Sequence, residues 1–198
     1  METTSKRGVI VLSLLLAAGA CADPPAEAIA LAAEAREAAL AAGAEEYAPE
    51  ALNQVAEARA AMEAELAVQS ERWAVRRAYG RAQELADTYR VAAEQAEAAA
   101  GAAREQVRQE ATDLLALARQ ALTEARDALA VAPVGKGSRA DVEALIADLD
   151  TAAQGLDDAD AALAAERYLE ARSMVSAARE IIDRVGAAVA QARDLRAG

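Results

Sequence analysis

The sequence predicts an all-α fold, an elongated antiparallel helical bundle or coiled coil in which two three-helix units share one long central helix. Three observations predict it. Apolar residues make up 55% of the 198 residues, yet aromatics are only 3%, Phe is absent and most of the apolar count is Ala. Long stretches carry apolar residues alternately three and four apart, the spacing of left-handed helix packing. After Pro25 only residues 43–49 and 133–138 have the Gly and Pro content of loops.

Alanine forms helix best because it loses no side-chain entropy, but it buries little area. At ~25 cal/mol per Å² of buried apolar surface, an Ala seam gains much less than one of Leu or Phe. The expected interior is therefore thin. Glu, Arg and Gln fill most other positions, as in long helices and coiled coils.

The first element is an export segment. Lys6 and Arg7 precede an apolar run from Val9 to Ala18. The run is too short to span a bilayer, which takes ~20 apolar residues, and has signal-peptide size. Ala18, Gly19 and Ala20 lead directly into Cys21, the single cysteine. This arrangement resembles the lipobox of bacterial lipoproteins, usually Leu-Ala/Ser-Gly/Ala-Cys. Gly19, Ala20 and Cys21 match it, and Ala18 stands where Leu is commoner. The resemblance implies cleavage before Cys21, diacylglycerol (palmitate-type chains) on its thiol and acylation of its new amino group. Stable anchoring takes more than one acyl chain, and three hold a protein essentially permanently. Ala22, rather than Asp, follows the cysteine. By resemblance to Gram-negative sorting, that implies the outer membrane, with the body facing the periplasm. Pro24-Pro25 is a stiff spacer that no helix interior would tolerate.

Without residues 1–20 the body keeps 19 basic and 32 acidic side chains, a net charge of −13. Phosphate backbones repel such a body, so nucleic acid is not an expected partner. One cysteine excludes an internal disulfide and any Cys-based zinc site.

In the body, Pro49 suits a first helical position and Ser138 an N-cap. Further turns are expected near Gln69-Ser70 and Ala164-Ala165. One seam runs Val75, Ala78, Ala82, Leu85, Tyr89, Ala92, Ala96, Ala99, Ala103 and resumes as Leu115, Ala118, Leu122, Ala125, Leu129. Between Ala103 and Leu115 the apolar steps are four, four and four, through Val107 and Ala111. Each such step advances the stripe by ~40°, or ~120° in all. The expectation is one helix from about residue 71 to 131, ~90 Å long, whose halves face different partners. Val142, Leu145, Leu149, Ala152, Leu156, Ala159 and Leu163 form the next seam. Tyr168, Ala171, Val175, Ala178, Ile182, Val185, Val189 and Ala192 form the last. A short turn joins these two helices, so they should lie antiparallel.

The chain also looks duplicated. Residues 34–38 resemble 124–128, and Glu71-Arg72-Trp73 resembles Glu166-Arg167-Tyr168, with Arg77 matching Arg172. Each copy would be three helices, the third of one running into the first of the next, which is the plan of spectrin-like arrays. The expected divisions are a signal peptide at 1–20, the lipidated cysteine and linker at 21–25, and helical modules at 26–105 and 106–198. Residues 42–52, with Tyr47-Ala48-Pro49, followed by an Ala/Glu/Arg helix and Glu71-Arg72-Trp73, also resemble an uncharacterised Ala-rich helical domain. That domain is found in lipoproteins, often N-terminal to OmpA-like peptidoglycan-binding domains. No OmpA-like segment is recognisable here, and residues 193–196 lack the Lys used for covalent wall attachment in the major outer-membrane lipoprotein.

Other chemistry fits poorly. Asp148, Asp150, Asp157, Asp158 and Asp160 invite a calcium reading, but Gly155 and Ala159 fall at the eighth and twelfth positions from Asp148, where an EF-hand loop needs Gly at the sixth and Glu at the twelfth. Gly135-Lys136-Gly137-Ser138 lacks the first Gly of a phosphate loop. With no His there is no conventional triad, and thin Ala seams build no convergent pocket. No catalytic, metal or cofactor residue is expected, and the chain reads as non-enzymatic. Trp73, Tyr79 and Tyr89 should share the start of the long helix, where Trp73 and Tyr168 are expected to plug equivalent hairpin ends rather than form a docking patch. The expected function is a periplasmic helical scaffold, spacer or protein-interaction module at the cell envelope. The alternative is a module binding lipid, glycan or peptidoglycan. Exposed seams can pair between chains as readily as within one, so a homo-oligomer is among the expected states. Cys21 is the one residue assigned a chemical role.

Overall fold

The computed structural model describes residues 23–132 and 139–197. The export segment, Cys21, and the Gly-Lys-Gly stretch therefore lie outside the described residues. Within them the chain is helical: α1 (Ala26–Ala41), α2 (Ala44–Tyr47), α3 (Pro49–Glu71), a 3₁₀ turn (Ala74–Arg76), α4 (Gly80–Ala130), α5 (Arg139–Ala164) and α6 (Tyr168–Ala197). None of these helices is long and apolar enough to cross a membrane.

The loop expected at residues 43–49 contains the single turn α2, and Pro49 opens α3 as its first residue. Gly43 sits at φ +86°, and a Cβ there would meet the Tyr47 ring at 3.1 Å. Only glycine combines that backbone with that close ring.

The long helix begins at Gly80, not near residue 71. Its 51 residues give ~76 Å rather than ~90 Å. The difference lies in the α3–α4 connection, residues 72–79, which folds back on Gln69. The Gln69 side chain is only 3% exposed. Its Oε1 accepts from the Ala78 amide at 3.1 Å, and its Nε2 donates to Glu65 at 2.6 Å. Arg77 donates to the carbonyls of Arg72 and Ser70, both at 3.1 Å. The polar side chain that suggested a turn at Gln69 is the pin that holds the turn after it.

α4 is the common element: α1 and α3 pack against its first half, and α5 and α6 against its second. Tyr89 lies among Arg36 and Glu37 of α1 and Arg59 and Glu63 of α3. Tyr47, after α1, lies beside Arg104. Residue number thus rises together along α1 and α4, so these two run parallel and α3 runs antiparallel. Arg126 meets Asp150 at 3.0 Å, and Arg119 meets Asp157 and Asp160 at 3.7 and 3.3 Å, so α5 is antiparallel to α4. Arg172 meets Glu110 at 3.0 Å and Arg193 donates to the Ala128 carbonyl at 2.9 Å, so α6 is parallel to α4. α5 and α6 are antiparallel, as the short turn requires.

The rotation of the α4 stripe is present. Val107, Ala111 and Leu115 are buried at four-residue spacing, with Ala103 half-buried before them. Above and below, burial alternates by three and four. The first-half frame is Ala82, Ala86, Tyr89, Ala93, Ala96 and Ala100. Ala99 and Ala78 are exposed, against the expected seam, and Val75 is 87% exposed. In an Ala-rich helix two adjacent faces have nearly equal hydrophobicity, and the bulk of Tyr89 decides between them. The α5 seam is buried or half-buried throughout as expected, and the α6 seam is so from Tyr168 to Val189, with Ala192 exposed.

The two halves differ in substance. The first core is mainly Ala, with Val55, Met62 and Tyr89 as its bulk. There α1 and α3 lie against α4 far more than against each other. The second core holds Leu115, Leu122, Leu129, Leu149, Leu156 and Ile182, and its three helices all contact one another. A buried Leu contributes ~1.5–3 kcal/mol, and Ala far less. We therefore expect Leu156→Ala, at a site 1% exposed, to cost about 2–5 kcal/mol in chemical denaturation. Leu117→Ala, 57% exposed, should stay within about 0.5 kcal/mol of the parent.

Candidate functional site

Two places concentrate side chains that the seams do not require. The first is at mid-helix, where the two halves meet. Arg104 of α4 donates to Glu166 at 2.5 Å and lies over the Tyr168 ring, 5.4 Å from its centroid. It also reaches the Tyr47 phenol. One guanidinium thus touches the turn that ends the first set of helices and the turn between α5 and α6. Burial is the main cause that raises the Tyr47 phenol above its ordinary pKa; Glu46 adds to the rise and Arg104 works against it.

The second turn is built by the backbone. Arg167 N–H donates to the Ala162 carbonyl and Glu166 N–H to that of Leu163, at 2.9 and 3.0 Å. This is a Schellman closure, whose left-handed residue is usually glycine. Here it is Glu166, at φ +61°. Its side chain holds Arg104, which gives a physical reason for a strained non-glycine residue. Below the turn Ala111, Ala162 and Ala171 are fully buried, so three helices approach closely there.

Next to Arg104 in the chain, Glu105 accepts from Arg108 at 2.6 and 2.7 Å and from Gln109 at 2.8 Å. These bonds, first that to Arg108, hold its carboxyl down at about 2. Glu110 is lowered as well, by its bonds to Gln106 and Arg172.

The second place is the α3–α4 connection. Trp73 and Val75 are 82% and 87% exposed, the two most exposed large apolar side chains among the described residues. Trp73 therefore plugs nothing, contrary to the expectation from its match with Tyr168. Tyr168 opens α6 and is half-buried under Arg104. The two positions diverge because the first hairpin closes through a long pinned connection and the second through a Schellman turn. Tyr79, immediately before α4, is buried, and Tyr89 lies inside the first core. Arg72, Arg76, Arg77 and Arg81 crowd the same stretch, with no acid between Glu71 and Glu84. Arg81 pairs with Glu84 at 3.0 Å. Among the described residues, no carboxylate lies within 4 Å of Arg72, Arg76 or Arg77. Two shallow clefts meet at Trp73, about 400 Å³ beside Arg72 and Arg76 and about 360 Å³ beside Val75 and Arg76. Composition averages hid this patch, because an acidic chain with four Arg within ten residues still counts as acidic.

The Asp residues of α5 lie along its outer and α4-facing sides, where Asp150, Asp157 and Asp160 meet Arg126 and Arg119. Among the described residues no three His, Cys, Asp or Glu gather where a metal ion could sit. Comparison of the chain with protein-family models, with curated proteins and with solved structures gives no match.

The lowered carboxyl of Glu105 has a pH signature. The unfolded chain binds a proton at Glu105 that the folded chain refuses, from pH 4.5 down to about 2. Its contribution to stability is therefore complete above pH 4.5 and is lost as pH falls to about 2. The melting difference between the parent and Glu105→Gln, followed by circular dichroism, should be constant from neutral pH to about 5 and vanish near pH 2.

Proposed function

We propose that this chain is a non-enzymatic lipoprotein, held on the bacterial envelope by acyl chains on Cys21, whose helical body serves as a periplasmic scaffold or spacer for a protein partner. The observation that carries the reading is α4. A single helix of ~76 Å threads both sets of partner helices, so one end of the body is separated from the other by far more than a compact domain of this length would span. Helix parallelism supports a spectrin-like reading, with modules of 26–105 and 106–198 sharing α4. The second module is the better match, because its three helices close on one another.

A spacer works by distance. α1 begins at the Gly80 end of α4, whereas the start of α5 and the end of α6 lie at the Ala130 end. Lipid on Cys21 fixes the first end, and the second is then the one presented to a partner. The likeness of residues 18–21 to a lipobox supports the anchor, and Ala22 supports the outer membrane as its address.

A second reading, binding of a lipid, glycan or peptidoglycan fragment, draws support from one cleft. It holds about 320 Å³ near the Ala130 end, lined by Leu129, Val142, Ile146 and Leu149 with Arg126 and Asp150 at its rim. That is the lower edge of small-ligand size. Native mass spectrometry of the purified protein separates the readings, because a co-purifying lipid or glycan would favour the second.

The leading reading has a direct check. Produced with its leader in a Gram-negative host, the protein should fractionate with the outer membrane and carry acyl mass on Cys21, and Cys21→Ser should release it to the soluble fraction. Small-angle scattering should give an elongated particle. A soluble, unacylated parent chain or a compact particle would sink the proposal.

A further inference from the structure

We infer that the Arg72–Tyr79 loop is a membrane-contact foot, which sets Trp73 and Val75 into the headgroup region of an anionic phospholipid surface while Arg72 and Arg76 pair with lipid phosphates. The inference rests on the anchored reading above and goes beyond it, because lipid on Cys21 alone fixes where the chain is tethered and not which surface touches the bilayer.

The argument starts from register. α1 runs parallel to α4, with Arg36 and Glu37 at the level of Tyr89. Stepping back equally along both helices sets Ala26 beside the start of α4, at the level of the Arg72–Tyr79 loop. Four residues lie between Cys21 and Ala26, and the five steps along the chain, at no more than ~3.6 Å each, reach ~18 Å. The point of attachment is thus confined to the end of the body that carries the loop.

Chemistry then selects the occupant. Trp is favoured where one side of a ring is apolar and the other wet, the condition at a bilayer interface. Arg lays its aliphatic stem along apolar surface and keeps its fork in the phosphate layer. A basic patch joined to acyl chains is a recognised two-signal anchor. The rest of the body is strongly acidic, so an anionic surface repels it while attracting the loop, and the rod is oriented with this end down. Asp23, Glu27 and the exposed Glu71 lie at the same end and Glu84 is engaged by Arg81, so the attraction is confined to Arg72, Arg76 and Arg77. Arg77 also laces the loop to Ser70 and Arg72, while among the described residues Arg72 reaches Gln69 Oε1 only at 3.4 Å and Arg76 has no such tie, which leaves Arg72 and Arg76 as the residues to test.

Trp73 is the only tryptophan, so the protein carries its own probe. The full-length gene is expressed with its leader, and the processed protein is reconstituted into vesicles of phosphatidylcholine with phosphatidylglycerol, or of phosphatidylcholine alone. Part of the phosphatidylcholine carries brominated acyl chains. Intact mass reports acylation separately. Acylated protein should show blue-shifted Trp73 emission quenched by the brominated chains in anionic vesicles. Arg72→Glu with Arg76→Glu should reduce that quenching about threefold, and added salt should reduce it too, with helicity unchanged. Acylated protein whose Trp73 ignores the lipid overturns the foot and leaves the anchor standing. Equal quenching in phosphatidylcholine alone overturns the anionic assignment. Shielding of Trp73 from iodide in native membranes but not in pure vesicles overturns it in favour of a protein partner. An unacylated chain overturns both readings.

Discussion

An α-helix turns ~100° per residue, so a stripe kept on one face must alternate steps of three and four. α4 keeps that alternation from Ala82 to Ala100 and again from Leu115 to Leu129, and abandons it between Ala103 and Leu115. Everything else in the architecture depends on that lapse. Because the stripe swings by ~120°, the two sets of helices approach α4 from different sides. Their ends meet at one level of α4, where Tyr47, from one set, and Glu166 with Tyr168, from the other, lie against the same Arg104.

Register is then specified mostly by charge, and stability mostly by a few large side chains. The ion pairs between helices, Arg119 to Asp157 and Asp160, Arg126 to Asp150 and Arg172 to Glu110, are all partly exposed. Such pairs contribute ~0–1 kcal/mol each, yet a slip of one helix past another would set like charges together. Alanine seams need that help, because Ala against Ala packs equally well in several registers. The Leu-rich half has shape to fix its own register. In the Ala-rich half Tyr89, Met62 and the pinned Gln69 loop supply it.

The sequence discloses this fold unevenly, and physics accounts for the difference. The α5 and α6 seams were legible to the residue over most of their length, because Leu, Ile and Val contrast with the intervening Asp, Arg and Ser. The stripe rotation was legible because the four-residue steps used Val107 and Leu115 among polar residues. In the first half of α4, Ala82, Tyr89 and Ala96 are buried as read, but the positions between them were misread by one, since Ala99 and Ala100 are equally apolar. The start of α4 was misplaced by nine residues because no Gly or Pro marks the Arg72–Tyr79 connection; its shape is set by Gln69, which lies outside it. Trp73 was assigned to a hairpin end through its match with Tyr168. Four Arg within ten residues of an otherwise acidic chain was the signal that could have placed it at the surface. Cys21 was legible only as a resemblance and lies outside the described residues.

The polarity of the rod has a mechanical consequence. α1, the element next to Cys21, is held by Ala28, Ala32 and Ala39 and by little else of bulk. Opening free energy follows buried apolar contact, so this half opens more readily than the Leu-rich half. In the anchored scaffold proposed above, tension between lipid on Cys21 and a partner at the Ala130 end enters the body through α1. The thin half then peels from α4 before the thick half loosens. What remains is α4 with α5 and α6 still closed around its second half, and α1 paid out as extra reach. Under that proposal, alanine in the first unit and leucine in the second divide the body into an extensible base and a rigid head, because leucine removes more area from water than alanine.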